Sequence, residues 1–159
     1  MTKNRKREDY KLTIELVPKN AWHSNLRNKL GRNWDKIRKK AYKDAGYKCE
    51  ICGAKGRLEC HEIWKYDDEK HIQTLKSFMA LCSNCHNIKH IGLSQIRARR
   101  GELNFQDLVI HFCEVNKVSS LVFDSEVELA FRIWKHRSEH TWKTDLGKWE
   151  KLINRRPGQ

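Results

Sequence analysis

Apolar positions along the chain fall into short, changing periods. Leu12, Ile14 and Leu16 alternate with polar neighbours, which predicts a strand over Tyr10–Val17 closed by Pro18. From Asn33 to Ala45 the period lengthens. Trp34, Ile37, Ala41 and Ala45 share one stripe, Asn33 stands where a helix cap is expected, and Gly46 where the helix should stop. Leu58–Trp64 alternates again and reads as a strand with His61 facing away from Cys60 and Glu62. Asp67 and Asp68 mark a polar turn. Asn104 caps a predicted helix carrying Phe105, Leu108, Val109 and Phe112 on one face, with Cys113 as a small core residue. Ser125 and Glu128 have capping-box spacing before a helix that aligns Val127, Ala130, Phe131 and Trp134. Trp142–Ile153 fits a strand or a helix equally. Trp22, Trp34, Trp64, Trp134, Trp142 and Trp149 are expected mostly as core anchors. The mixture is α+β, and no apolar run approaches the ~20 residues of a membrane span.

Charge adds a partner class. The chain carries 33 Lys and Arg against 20 Asp and Glu, a net +13. Residues 1–48 alone hold 15 of the basic and 5 of the acidic side chains, so the excess precedes the first cysteine. Such a concentrated field favours a polyanion, because each phosphate neutralised releases condensed counterions. Lys36, Lys39, Lys40 and Lys43 mostly face away from the apolar stripe of their helix, either to meet phosphates or as an ordinary solvated face. Behind Met1-Thr-Lys-Asn-Arg-Lys-Arg7 no apolar segment resembles a signal peptide, so a soluble, cytoplasmic protein is expected.

In that compartment six cysteines point to metal rather than disulfides. Cys49-Glu-Ile-Cys52 and Cys82-Ser-Asn-Cys85 form two C-x-x-C pairs separated by 29 residues, with Gly53 directly after the first. Four thiolates so arranged suit tetrahedral zinc. A redox motif would need one pair and leave the other unexplained. His86-Asn-Ile-Lys-His90 follows at once; if helical, it sets two imidazoles one turn apart on one face, able to grip a cation near the strand histidine, His61. His136 and His140 share that spacing without acidic or thiolate partners and read as surface.

Three stretches together, Ala45-Gly-Tyr-Lys-Cys-Glu-Ile-Cys52, Glu59-Cys-His-Glu-Ile-Trp-Lys-Tyr-Asp-Asp68 and Ala80-Leu-Cys-Ser-Asn-Cys-His-Asn-Ile-Lys-His90, resemble the HNH endonuclease family, in particular a bacterial and phage subfamily. The resemblance implies a small zinc-stapled ββα-metal core over residues 33–95 with its leading helix, behind a basic arm (1–32) and before a helical extension (96–159). It implies a metal-dependent endonuclease hydrolysing DNA phosphodiester bonds, double-stranded DNA as partner, structural Zn2+ on Cys49, Cys52, Cys82 and Cys85, and a catalytic Mg2+, Mn2+ or Zn2+. By position His61 matches the general base, His86 a metal ligand and His90 the further histidine some members use. Lys89, beside them, is a candidate phosphate contact. Cys60 departs from the family, which places Asp or His there as a ligand. A thiolate suits zinc and not magnesium, so either Cys60 binds a softer ion or Glu62 reaches the metal instead. The family's central asparagine is also missing from Gln73–Ala80; Gln73 or Ser77 is left to hold the His61 segment. A zinc-stapled nucleic-acid binder without catalysis, and an HNH-like nuclease acting on RNA, are the alternatives.

Overall fold

A computed structural model describes residues 6–21 and 26–153. Trp22 and the first five residues of the basic arm lie outside the described residues. The elements are α1 (Leu26–Leu30), α2 (Arg32–Asp44), β1 (Leu58–Asp67), β2 (Ile72–Cys82), α3 (Ser83–Lys89), α4 (Ile91–Arg99), α5 (Phe105–Asn116), α6 (Ser120–Arg137) and β3 (Lys143–Asp145). Single 3-10 turns lie at Arg7–Asp9 and Gly147–Leu152. The protein is mixed α+β with one small sheet of order β1-β2-β3. Among the described residues no helix is long and apolar enough to cross a membrane.

β1 and β2 form an antiparallel hairpin in which Leu58 faces Cys82 and His61 faces Met79. The register slips between Ile63 and Trp64, where Lys76 is the extra residue of β2. Asp67 makes the turn by accepting from the backbone N–H of Glu69 and Lys70, as the polar-turn reading expected. β3 pairs in parallel with the start of β2, which leaves β1 as the edge strand on the other side. Trp142–Ile153 resolves into that short strand and the 3-10 turn after it.

Tyr10–Val17 is not a strand. Its alternation is nonetheless real in space. Leu12 and Ile14 are fully buried, and Leu16 packs against the same cluster. The backbone partner is a side chain: Asn116 Oδ1 accepts from Leu12 N–H at 3.0 Å and Asn116 Nδ2 donates to Leu12 C=O at 2.8 Å. A buried amide thus does the work of a neighbouring strand, and period alone cannot reveal it.

Two caps differ from expectation. Gly31 precedes α2 with φ 51°, while Asn33 lies inside the helix and donates to Leu152 C=O at 2.7 Å. α6 starts at Ser120, so Ser125 is interior and back-bonds to Leu121 C=O at 2.9 Å. Asn104 caps α5 as expected, accepting from Gln106 N–H. One buried cluster joins Leu12 and Ile14 to Cys49, Leu81, Cys85, Ile88, Leu108, Phe112, Phe123 and Ala130. Val127 and Phe131 are packed against it. A second cluster gathers Leu26, Leu30, Ile37, Leu75 and Leu146 under Trp34, Phe78 and Trp149.

Candidate metal centre and its cleft

The four knuckle cysteines come together. One sulfur from each of Cys49, Cys52, Cys82 and Cys85 lies within 4.8 Å of every other, close enough to hold one metal ion such as zinc. Local backbone explains the convergence. Gly53, at φ 79°, returns its N–H to Cys49 C=O at 2.8 Å, closing the first turn. Cys82 ends β2, and its sulfur accepts from Cys85 N–H at 3.5 Å as α3 begins. Glu50 ties the first turn to the hairpin by pairing its N–H with Ala80 C=O and its carboxylate with Ala80 N–H. The Cys85 thiol bonded to Cys49 holds the latter's pKa down to about 4 and raises its own, while burial pushes Cys52 up to about 11. A cluster that favours a thiolate in this way is suited to a cation. His111 of α5 stands 3.2 Å from the Cys85 sulfur, a neighbour the spacing of the cysteines did not disclose.

A second group of side chains gathers where α3 leaves the knuckle. His86 lies within α3 and His90 directly after it, its N–H bonded to His86 C=O. Both rings meet His61 of β1: ring centres are 5.5 Å apart for His61–His86, 5.0 Å for His61–His90 and 4.6 Å for His86–His90. One nitrogen from each lies within 4.8 Å of the others, so these three form the second group able to hold a metal. Burial, reinforced by the neighbouring imidazoles, lowers the His61 pKa to about 2, and burial first of all lowers that of His90 to about 4. Burial also lowers His86, against the pull of Glu59. All three rings are therefore neutral near pH 7, the form that ligates metal or accepts a proton. His61 Nδ1 is buried without any hydrogen-bond partner. Such an orphan is costly, and a group the chain does not supply would satisfy it.

Glu59, two residues before His61 and on the same strand face, was missed by sequence reasoning. Its carboxylate sits 2.7 Å from His86 Nδ1 and accepts from Ser83 Oγ at 3.2 Å. That contact fixes the proton on Nδ1 and leaves His86 Nε2 as the free donor atom, the usual orienting pair behind a ligating histidine. The parity of the strand was the available signal. The same parity keeps Cys60 and Glu62 out of the histidine group. Burial pushes the Cys60 thiol up to about 12, so it offers no ready thiolate, and burial also raises the Glu62 carboxyl. Gln73 faces Tyr66 and Ser77 faces Ile63, so neither stands opposite His61.

The histidines open on a cleft of about 940 Å3 along the edge of β1. His86, His90 and Glu59 line one end; Trp34, Arg38 and Tyr42 of α2 form the far wall; Arg27, Arg57 and Lys19 add positive charge. The basic side chains that reach it are thus mainly arginines. Lys36, Lys39, Lys40 and Lys43 are exposed on α2 outside its lining, and Lys40 pairs with Asp44. Lys89 corrects the expectation of a phosphate contact: it is buried, donating to Thr13 Oγ1 at 2.9 Å and reaching Glu15 at 3.5 Å. It clamps the extended N-terminal segment to α3. His136 is exposed as expected, whereas His140 is half-buried and stacks on His71 with centres 4.2 Å apart. No family model matches the chain, and no curated protein or solved structure matches it.

Proposed function

We propose that the protein is a metal-dependent, HNH-type endonuclease that hydrolyses phosphodiester bonds in DNA. The observation that carries the reading is the meeting of three neutral imidazoles, His61, His86 and His90, at the end of an arginine-lined cleft, on a scaffold pinned by four cysteines. The residues fit a divalent cation: two histidines one turn apart and a carboxylate orienting the first. A cation held by His86 and His90 would supply charge stabilisation at the scissile phosphate and its leaving oxygen. His61, on β1 beside the pair of helical rings, is the general base that takes the proton from the attacking water. Arg38, Arg57 and Lys19 hold the flanking phosphates, with Trp34 beside them as a stacking surface. Zinc on the four thiolates is structural and fixes where α3 begins.

The test is plasmid cleavage by zinc-loaded protein with magnesium or manganese added. Wild type should cut. His86→Ala should lose both cutting and the second cation. His61→Ala should lose cutting while retaining zinc, fold and affinity for the second cation. Equal cutting by wild type and His61→Ala would remove the base assignment. An inert wild type that still binds DNA would leave a zinc-bearing binder.

A further inference from the structure

On the far side of His90 lies a second hollow of about 480 Å3. His90 and Val17 line both it and the arginine-lined cleft, so the two spaces adjoin at these residues. Their chemistry differs. Phe131 and Trp134 of α6 form one wall of the hollow, and Leu93 and Ile96 of α4 form the other. Leu93 and Ile96 are 59% and 45% exposed, two neighbouring apolar side chains on one face of α4 that no described residue covers. Gly92 keeps the floor low: a Cβ there would already stand 3.6 Å from the Phe131 ring. Arg99, Gln95 and Glu15 supply the polar part of its lining. At the boundary, the Lys19 ammonium, which belongs to the cleft, lies 5.0 Å from the Trp134 ring centre.

We infer that this hollow takes one unpaired nucleobase of the strand whose phosphate lies at the histidines, so that the substrate is a single-stranded or locally opened nucleic acid. The inference rests on the proposed nucleic-acid reading of the cleft. A base joined to a phosphate at His90 and Lys19 meets the aromatic rings of Phe131 and Trp134 in the hollow. Stacking on such rings accepts any base. A base inside an intact duplex is already stacked on its neighbours and has no free face to offer.

The test is binding, read separately from cutting. Zinc-loaded full chain without added second cation is titrated with a short single-stranded DNA in which each position in turn is made abasic, and with the matching duplex. For wild type one position should weaken binding about tenfold when its base is removed, and the single strand should bind more tightly than the duplex. Gly92→Leu, which fills the hollow, should abolish that positional effect while keeping zinc and circular dichroism unchanged. Ile96→Asn, at an exposed site, serves as a second variant and should reduce it. An abasic profile that is flat for wild type, or the same in both variants as in wild type, overturns the inference and leaves the hollow to another occupant such as a protein side chain. Tighter binding of duplex overturns it also. Failure to bind any strand removes the inference together with the cleft reading beneath it. The expected base dependence in a chain that cuts nothing upholds the hollow while the nuclease reading falls.

Discussion

At the scale of single residues, chemistry turns on which atoms are left free. His86 gives Nδ1 to Glu59 at 2.7 Å, so its remaining nitrogen is unprotonated and directed to other work. Replacing Glu59 by Gln keeps the shape but removes the charge that steadies the ring. The second cation should then bind 10–100-fold more weakly, with one zinc per chain still held by the thiolates; calorimetric titration with manganese reads the first and elemental metal analysis the second. Unchanged manganese affinity would mean that Glu59 does not orient a ligand. Sequence disclosed much of this centre. The spacing of Cys49, Cys52, Cys82 and Cys85 was sufficient for the knuckle, and the His86–His90 interval for the pair of rings. What escaped was the side chain that supports them, because alternation puts Glu59 on the face of His61 without saying that His86 and Ser83 come to meet it. Lys89 misled for a related reason. It lies next to the histidine pair in sequence, yet on a helix adjacent residues point about 100° apart, and it is buried beneath the N-terminal segment.

At the scale of elements, faces were legible and partners were not. The alternation of Leu12, Ile14 and Leu16 identified the buried side of an extended segment, but whether a strand or a lone amide satisfies its backbone is settled by residues about a hundred positions away. Asn116 is fully buried and meets both polar groups of Leu12. Asn116→Ala would strand a buried donor and acceptor together, which should cost about 2 kcal/mol. Chemical denaturation should show the loss, and hydrogen exchange at Leu12 should accelerate; a variant as stable as wild type would make that pair of bonds incidental. The same logic separates knuckle from hairpin. β1 and β2 hold each other through their ladder, whereas the turn at Cys49–Gly53 is held by Glu50, its own backbone and the packing of Cys49 and Ile51 against the core. Metal binding there is folding free energy. Cys82→Ser, or a strong chelator, should therefore lower the melting temperature and release α3 from its register, carrying His86 and His90 away from His61. Retention of a wild-type melting curve and full zinc by Cys82→Ser would refute the four-thiolate site.

At the scale of the whole molecule, the net charge of +13 does not say where a polyanion would lie. The fold distributes it unevenly. The lysines of α2 are exposed on the side away from the stripe that carries Ile37, while Arg38, one residue further round, lines the cleft with Arg57, Arg27 and Lys19. Lysines spread over the outer face of a helix contribute a screened, diffuse attraction; the cleft arginines, though Arg27 and Arg57 are themselves exposed, gather on one concave surface where a phosphate can take a forked pair of donors. The two kinds of charge should separate in a salt titration. For nucleic-acid binding, the logarithm of affinity should fall linearly with the logarithm of salt, by about 0.7–0.9 per phosphate engaged. Arg57→Gln should weaken binding and reduce the magnitude of that slope by about 0.7–0.9, the loss of one phosphate contact. Arg38→Gln should do the same less completely, because its guanidinium also serves Asp35 at 2.7 Å. Lys36→Gln and Lys39→Gln should shift affinity slightly and leave the slope nearly unchanged. If the lysine variants flatten the slope and the arginine variants do not, the polyanion runs over the outer face of α2, and the cleft beside the histidines is not where it binds.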